Sequence, residues 1–299
     1  MFRFLLSLYI QTIQFSVPSD RMSTYKSFAL VGGGTIGLPI VNALAATKVP
    51  VILLSRSSEA KAVPSNVQVI KVDYDNADAI AKVLKEHNVD VVVSTLTTMA
   101  AAAQKTVVDA SKLAGIKLFV PSEFGLPTEG YTEGPLGDKA HIAKYLTSVG
   151  IPSTRIFTGS FVQLIPWLLG GNGKAQIIGK GDTPFSTTSI PDIAGFVAHI
   201  LTTLPPSELE NRIFRLEGER VTMNGLAAQF KATPEYVDKL TDRGEHEGFL
   251  NFLVSAIEDG KASTGWNGVK EGTGADAAGT GNAAWPGHHW QTVKEVHNL

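Results

Sequence analysis

From Phe28 to Phe157 the apolar residues of this chain gather into short, nearly unbroken runs separated by amphipathic stretches. The runs 28–32, 50–54 (PVILL), 67–72 (VQVIKV), 89–94 (VDVVVS) and 116–120 (IKLFV) are rich in Val, Ile and Leu. Such runs are expected of strands covered on both faces, where no polar side needs to alternate with an apolar one. Between them, 36–46, 76–87 and 99–114 carry helical patterning, the last ending at Gly115. Alternating strand-like and helix-like segments predict a mostly parallel sheet with helices on both faces. A sixth unit follows, with a helix at about 139–149, a stop at Gly150 and a strand at 153–157.

The alternation fails after Gly159. Residues 160–189 read as a short apolar helix and a glycine-rich loop (GGNGKAQIIGKGDTPFS), then 189–204 as a helix and 212–221 as a late strand and turn. Residues 222–240 are predicted as a small helix pair and 246–258 as a further helix. The stretch 259–287, rich in Gly, Ala, Asn and Thr, is predicted as a mobile loop.

One turn in the regular half carries chemistry. In FALVGGGTIGLPIV (Phe28 to Val41), Gly32, Gly34 and Gly37 stand at G-x-G-x-x-G spacing between a strand and a helix start. The first glycine permits the tight turn, the second lets backbone approach a pyrophosphate, and the third lets helix pack on strand. The following helix N-terminus, including Thr35 and Ile36, then turns its N–H groups and positive dipole end toward the phosphates. With 29 glycines in 299 residues, chance alone supplies this spacing roughly 0.3 times per chain, so the strand before it and the helix after it carry the inference. The fold class expected is α/β: a Rossmann-type doubly wound parallel sheet with a smaller, less regular C-terminal substrate lobe. Residues 25–158 form the dinucleotide-binding domain on this reading, 190–220 return to it, and 159–189 with 221–299 form the lobe.

Composition narrows the chemistry. A chain of 299 residues, 43% hydrophobic and 18% charged, can bury a large core. A net charge of −2 gives no electrostatic case for nucleic acid or anionic membrane. Zero cysteines exclude disulfides, thiolate metal sites and a cysteine nucleophile. No metal ligand set is read: His288 and His289, beside Trp285 and Trp290, have no partner at ligand spacing and are expected in a surface turn. Phe2 to Val17 is mostly apolar but too short and too polar for a membrane span. Residues 1–24 are expected to be an upstream start or disordered extension, and the cytoplasm is the default compartment.

The end of the second strand selects the cofactor. An NAD site usually has an acid there to hold the ribose 2′-OH. This chain has Ser55 and then Arg56, with Lys61 nearby. Serine removes repulsion and a guanidinium grips a 2′-phosphate through parallel hydrogen bonds, so NADP(H) is expected over NAD. Asp73 after the third strand is placed either to accept from the adenine amino group or to serve a cap or turn, and Thr95, Leu96 and Thr97 after the fourth either to pack on ribose and nicotinamide or, at Thr97, to cap the next helix.

The fifth strand runs into PSEFG (Pro121 to Gly125), and GDKAHIAKYLTSVGIPSTRIFTGSF follows. With the glycine turn, these segments resemble the NmrA-like, isoflavone reductase-like group of atypical short-chain dehydrogenases/reductases, over most of residues 26–220. The form of the turn is that of fungal relatives: the first glycine of the reductases' longer G-x-x-G-x-x-G is replaced here by Val31. The resemblance implies a catalytic lysine soon after PSEFG, at Lys139, and places Ser122, Glu123 and Phe124 near the nicotinamide. Helical spacing independently puts Lys139 on one face with Ile142, Ala143 and Leu146, the face that packs inward. Partial desolvation there lowers a lysine's proton affinity. The Tyr-x-x-x-Lys pair of ordinary short-chain enzymes is absent, since Tyr236 and Lys239 are one residue too close.

These features predict an NADPH-dependent reductase acting on a small, apolar or aromatic molecule, with no nucleic-acid or membrane partner. Phe124, Phe157, Gly159 and Phe161, with Trp167 and Phe185, are the candidates for the substrate's surroundings, with core packing the alternative for each aromatic. The resemblance also implies a second reading, a dinucleotide-sensing regulator without turnover.

Overall fold

The structure is a computed structural model, and it describes residues 25–57, 63–97, 100–170, 173–269 and 274–299. Lys61 and residues 1–24 therefore lie outside the described residues. The first half contains β1 (Phe28–Val31), α1 (Gly37–Ala46), β2 (Val51–Ser55), β3 (Gln68–Lys71), α2 (Ala77–Glu86), β4 (Val91–Ser94), α3 (Ala101–Ala114), β5 (Leu118–Val120), α4 (Gly134–Val149) and β6 (Thr154–Phe157). Five strands form one parallel sheet in the order β3-β2-β1-β4-β5. A bridge from Phe119 to Ser153 brings β6 alongside β5.

The sheet is sandwiched, and its strands divide their side chains by the period of two. Phe28 and Leu30 of β1 join α1 in one core, whereas Ala29 and Val31 join α2, α3 and α4 in the other. This two-sided burial is why the strands read as continuous apolar runs.

The second half continues with β7 (Ser160–Phe161), α5 (Ile165–Leu169), β8 (Lys174–Ile178), β9 (Phe185–Thr188), α6 (Ile190–Thr203), α7 (Pro206–Leu209), β10 (Arg212–Arg215), β11 (Glu219–Val221), α8 (Met223–Gln229), β12 (Thr233–Val237), α9 (Glu247–Glu258) and α10 (Val293–His297). Helix α6 packs its buried face, including Ile193, Phe196, Val197 and Ile200, into the α1 core. Strand β10 pairs in parallel with β6. A third core of Leu168, Ile177, Phe185, Leu226, Leu250, Val254 and neighbours holds α5, β8, α8 and α9 together.

Four expectations are corrected. The segment KAQII is a strand within the predicted loop, because β8 pairs in parallel with β12. That pairing also turns TPEYV into a strand where a second helix was predicted, and Pro234 is tolerated there because β12 has only one neighbour. Helix α4 starts at Gly134 rather than near 139, with a proline in its first turn, where a missing N–H costs nothing. The predicted loop 259–287 contains the 3₁₀ turns Ala275–Ala277 and Thr280–Ala284, and Ala262, Ser263 and Thr264 are buried. Arg215 anchors this segment by donating to Thr264 O and Trp266 O. No helix among the described residues is long and apolar enough to cross a membrane.

Candidate active site

The carboxyl ends of β1, β2 and β4, together with residues following β3, surround a cleft of about 380 Å³. Its lining includes Gly32, Gly33, Gly34, Ser55, Arg56, Asp73, Tyr74, Thr95, Leu96 and Thr97. Gly32 sits at φ +99°, which disfavours a side chain. At Gly37 a Cβ would stand 2.6 Å from Thr95 Oγ1 and collide with Gly32 O, so only glycine lets α1 approach the turn. At Gly34 a Cβ would meet nothing within 4 Å among the described residues, which leaves open space beside the backbone. Thr95 ties the turn to β4 by donating to Gly32 O at 2.7 Å and Val31 O at 3.2 Å.

Helix α1 has neither a side-chain cap nor an acidic residue in its first turn. Its positive end is therefore uncompensated by its own side chains and suits an anionic group. An open glycine beside an uncapped helix end is the arrangement a pyrophosphate needs, and the residues present fit a dinucleotide. Thr35 is exposed at the turn, and Ile36 packs into the α1 core rather than into the cleft. Ser55 is buried and accepts from Ser57 N at 3.3 Å, whereas Arg56 is exposed with its guanidinium 5.9 Å from the Tyr74 ring centroid. Tyr74, which the sequence reading missed, donates to Leu54 O at 3.0 Å, and burial pushes its hydroxyl pKa up. Asp73 accepts from Asp75 N at 3.0 Å.

A second cavity, of about 150 Å³, opens between the PSEFG segment and the C-terminal lobe. Phe124, Gly125 and Leu126 line one side, Leu136 and Lys139 of α4 another, and Gly159, Ser160 and Phe161 a third. Leu164, Ile165, Trp167 and Leu168 with Phe249, Phe252 and Leu253 of α9 complete it. Among the described residues, Lys139 is the one charged residue of this lining. Its Nζ donates to Glu123 O at 2.9 Å. Burial lowers its pKa from the ordinary lysine value, an effect that the nearby Glu123 charge opposes. His141 and Lys144 on the same helix are exposed.

The residues after β5 sort differently from expectation. Ser122 and Glu123 line neither cavity. Ser122 Oγ donates to Leu96 O at 2.7 Å and its N–H donates to Gln104 Oε1 at 2.7 Å, which fastens β5 to β4 and α3. The Glu123 carboxylate is 1% exposed and receives Arg155 Nε at 2.8 Å and Thr128 Oγ1 at 3.1 Å. Phe157 and Phe185, expected beside the substrate, are fully buried and outside the cavity lining. Arg155 and Arg215 guanidiniums lie 5.0 and 5.3 Å from the Phe157 ring. Gly159 lines the cavity at φ +64°, and a Cβ there would collide with Ser186 O across the β7–β9 pair. The α9 side chains Phe249, Phe252 and Leu253 were missed, because their spacing is that of any core-facing helix.

The histidines expected in a surface turn are engaged. His288 stacks on Trp285 with ring centroids 3.6 Å apart, and its Nε2 lies 2.8 Å from Oδ1 of the buried Asp192. His289 bonds Glu295 at 2.8 Å. Among the described residues no three His, Cys, Asp or Glu side chains converge as a metal site.

Residues 26–239 match the NmrA-like family. The oxidoreductase aprR of Aspergillus flavus is 31% identical over 214 residues, covering 67% of this chain and 71% of the relative. The isoflavone reductase homolog IRL of Zea mays is 33% identical over 229 residues, covering 68% and 72%. Among solved structures, the NADPH complex of leucoanthocyanidin reductase from Vitis vinifera superposes with a TM-score of 0.72 at 22% identity, over 90% of this chain and 97% of that one, a likeness of fold. With the glycine turn, the parallel strand ends and PSEFG all in place, the chain belongs to the NmrA-like family, in its isoflavone reductase-like group of oxidoreductases.

Proposed function

We propose that this protein is an NADPH-dependent reductase that passes hydride to a small apolar or aromatic molecule. The observation that carries the reading is the apolar cavity with Lys139 as its one charged group among the described residues, beside a cleft fit for a dinucleotide. On this reading the strand ends of 25–158, with 190–220 behind them, hold the dinucleotide, and 159–189 with 221–299 close over the substrate. When bound, the cofactor supplies the hydride and the electron pair it carries. Arg56 grips the 2′-phosphate, which favours NADPH over NADH. Gly34 leaves room for the pyrophosphate, and Thr95 to Thr97 border the ribose and nicotinamide.

Lys139 holds a proton donor inside a wall of aromatic and aliphatic side chains. Burial lowers its proton affinity, so it releases a proton more readily than a solvated lysine. In the reaction it donates that proton, directly or through water, to an oxygen or adjacent carbon of the substrate. Names of relatives, reductases and an oxidoreductase, support turnover over sensing.

The test is NADPH oxidation by the purified protein across enones, phenylpropenes and quinones, followed by nicotinamide absorbance. Turnover with at least one class, lost in Lys139→Met with cofactor affinity intact, supports the reading. Tight NADPH binding with no turnover on any class refutes it in favour of the dinucleotide-sensing regulator.

A further inference from the structure

The wall of the dinucleotide cleft contains a tyrosine where a leucine would serve the core as well. Tyr74 stands in the turn between β3 and α2, is 6% exposed, and joins the core that includes Leu54, Val72 and Ile80. Compared with an aliphatic side chain it adds a hydroxyl and a π face, and both are engaged. The hydroxyl donates to Leu54 O at 3.0 Å, the carbonyl that also accepts from Gly32 N at 3.0 Å. The ring is thereby fastened to β2 and to the glycine turn. Over that ring lies the Arg56 guanidinium, with Cζ 5.9 Å from the centroid, within the range of a cation–π contact.

This placement matters because of what else lines the cleft. Asp73 and Asp75 flank Tyr74 in the chain, both are exposed, and both line the cleft together with Arg56. Among the described residues Arg56 pairs with neither acid, and its contact is the Tyr74 ring. A guanidinium free to move would be drawn to those carboxylates, which at short range compete with a phosphate for its hydrogen bonds. Two unneutralised carboxylates would also repel a 2′-phosphate. The cleft favours the phosphate only while the guanidinium is kept for it.

We propose that Tyr74 is the positioning residue for the NADPH preference: its ring holds the Arg56 guanidinium apart from Asp73 and Asp75 and ready for the 2′-phosphate. This role rests on the reading of Arg56 as the phosphate grip, and it names the residue on which the grip depends. A cation over a ring at an exposed site is a modest contact. Arg56 therefore supplies the selectivity and Tyr74 tunes it.

The experiment measures the dissociation constants of NADPH and NADH on the intact protein by calorimetry and takes their ratio as the preference. The two cofactors differ only at the 2′ position, so a variant that merely disturbs the core weakens both and leaves the ratio unmoved. In Tyr74→Leu the preference is expected to fall about three- to fivefold, the equivalent of one exposed cation–π contact. Tyr74→Phe keeps the ring, loses only the hydroxyl, and retains the wild-type preference within about twofold. In an Arg56→Ala background Tyr74→Leu lowers the preference no further, because the ring has no guanidinium to hold. A Tyr74→Leu preference within twofold of wild type, a loss in Tyr74→Phe as large as in Tyr74→Leu, or a fall that persists without Arg56 overturns the assignment. Failure of the parent reading looks different: an Arg56→Ala protein with the wild-type preference removes the arginine grip, and the role of Tyr74 falls with it.

Discussion

The glycines of the turn separate folding from binding, and two alanine substitutions pull the functions apart. At Gly37 an added Cβ stands 2.6 Å from Thr95 Oγ1, where ordinary contact begins at 3.4 Å, and also strikes Gly32 O, a backbone atom unable to step aside alone. Helix α1 must therefore move by nearly 1 Å from the turn, which disturbs its packing on β1 and α6. Overpacking of this kind costs about 1–3 kcal/mol, against which a helical Gly→Ala change returns roughly 0.5–1 kcal/mol. Gly37→Ala is therefore expected to lose about 1–2 kcal/mol, a fall of several degrees in melting temperature. At Gly34 the Cβ meets nothing and φ is ordinary, so Gly34→Ala leaves the melting temperature of the ligand-free protein within a degree or two. The methyl nevertheless occupies the space assigned to pyrophosphate, and NADPH affinity falls tenfold or more, at least about 1.4 kcal/mol. Thermal melts without cofactor and fluorescence titration with NADPH measure the two effects. Wild-type NADPH affinity in a stable Gly34→Ala protein refutes the placement of the phosphates at this turn.

Arg56→Ala is expected to cut NADPH affinity about 10- to 100-fold while leaving NADH within threefold, the loss of a charge-assisted contact; equal effects on both cofactors in calorimetry refute its role. Arg155→Met strands the Glu123 carboxylate, 1% exposed, and is expected to cost about 3–5 kcal/mol in urea unfolding. The double variant Arg155→Met/Glu123→Gln recovers much of that loss, and a double variant as unstable as the single one refutes the pairing argument. For Lys139 the sign follows from its lowered pKa. Between that value and 10.5 the unfolded chain holds a proton that the folded chain lacks, so stability rises with pH across this window. Lys139→Met is therefore more stable than wild type at neutral pH, by a margin that shrinks as pH approaches 10.5, and a margin constant with pH in denaturant titrations contradicts the burial argument.

What the sequence disclosed were constraints satisfied within a few residues. Gly32, Gly34 and Gly37 answer to the local path of one turn, Arg56 stands one residue beyond β2, and the inward face of α4 follows from helical spacing. What stayed hidden depends on partners far along the chain. KAQII and TPEYV become strands only because they meet each other across more than fifty residues. The loop 259–287 is drawn inward by Arg215, and His288 is held by Asp192, 96 residues away. Phe157 has the composition of a substrate wall, but it is fully buried, and Arg155 and Arg215 flank its ring. Phe249 and Phe252 have the spacing of core residues, and only what lies opposite makes them a cavity.

The same distinction explains how one short segment serves both halves of the site. PSEFG places an acid and a phenylalanine side by side, and the fold sends them in opposite directions. Phe124 turns into the apolar cavity, whereas the Glu123 carboxylate turns away to Arg155 and Thr128. A carboxylate free to face Lys139 would hold the ammonium form and suppress proton release. With the charge of Glu123 already neutralised by Arg155, the contact it offers Lys139 is its backbone carbonyl, at 2.9 Å. A carbonyl accepts from amine and ammonium alike, so it orients the lysine while fixing neither form. Burial then outweighs the residual attraction of Glu123 and lowers the pKa of Lys139. The arginine that guards the fold's stability is thus also what leaves the lysine able to give up its proton.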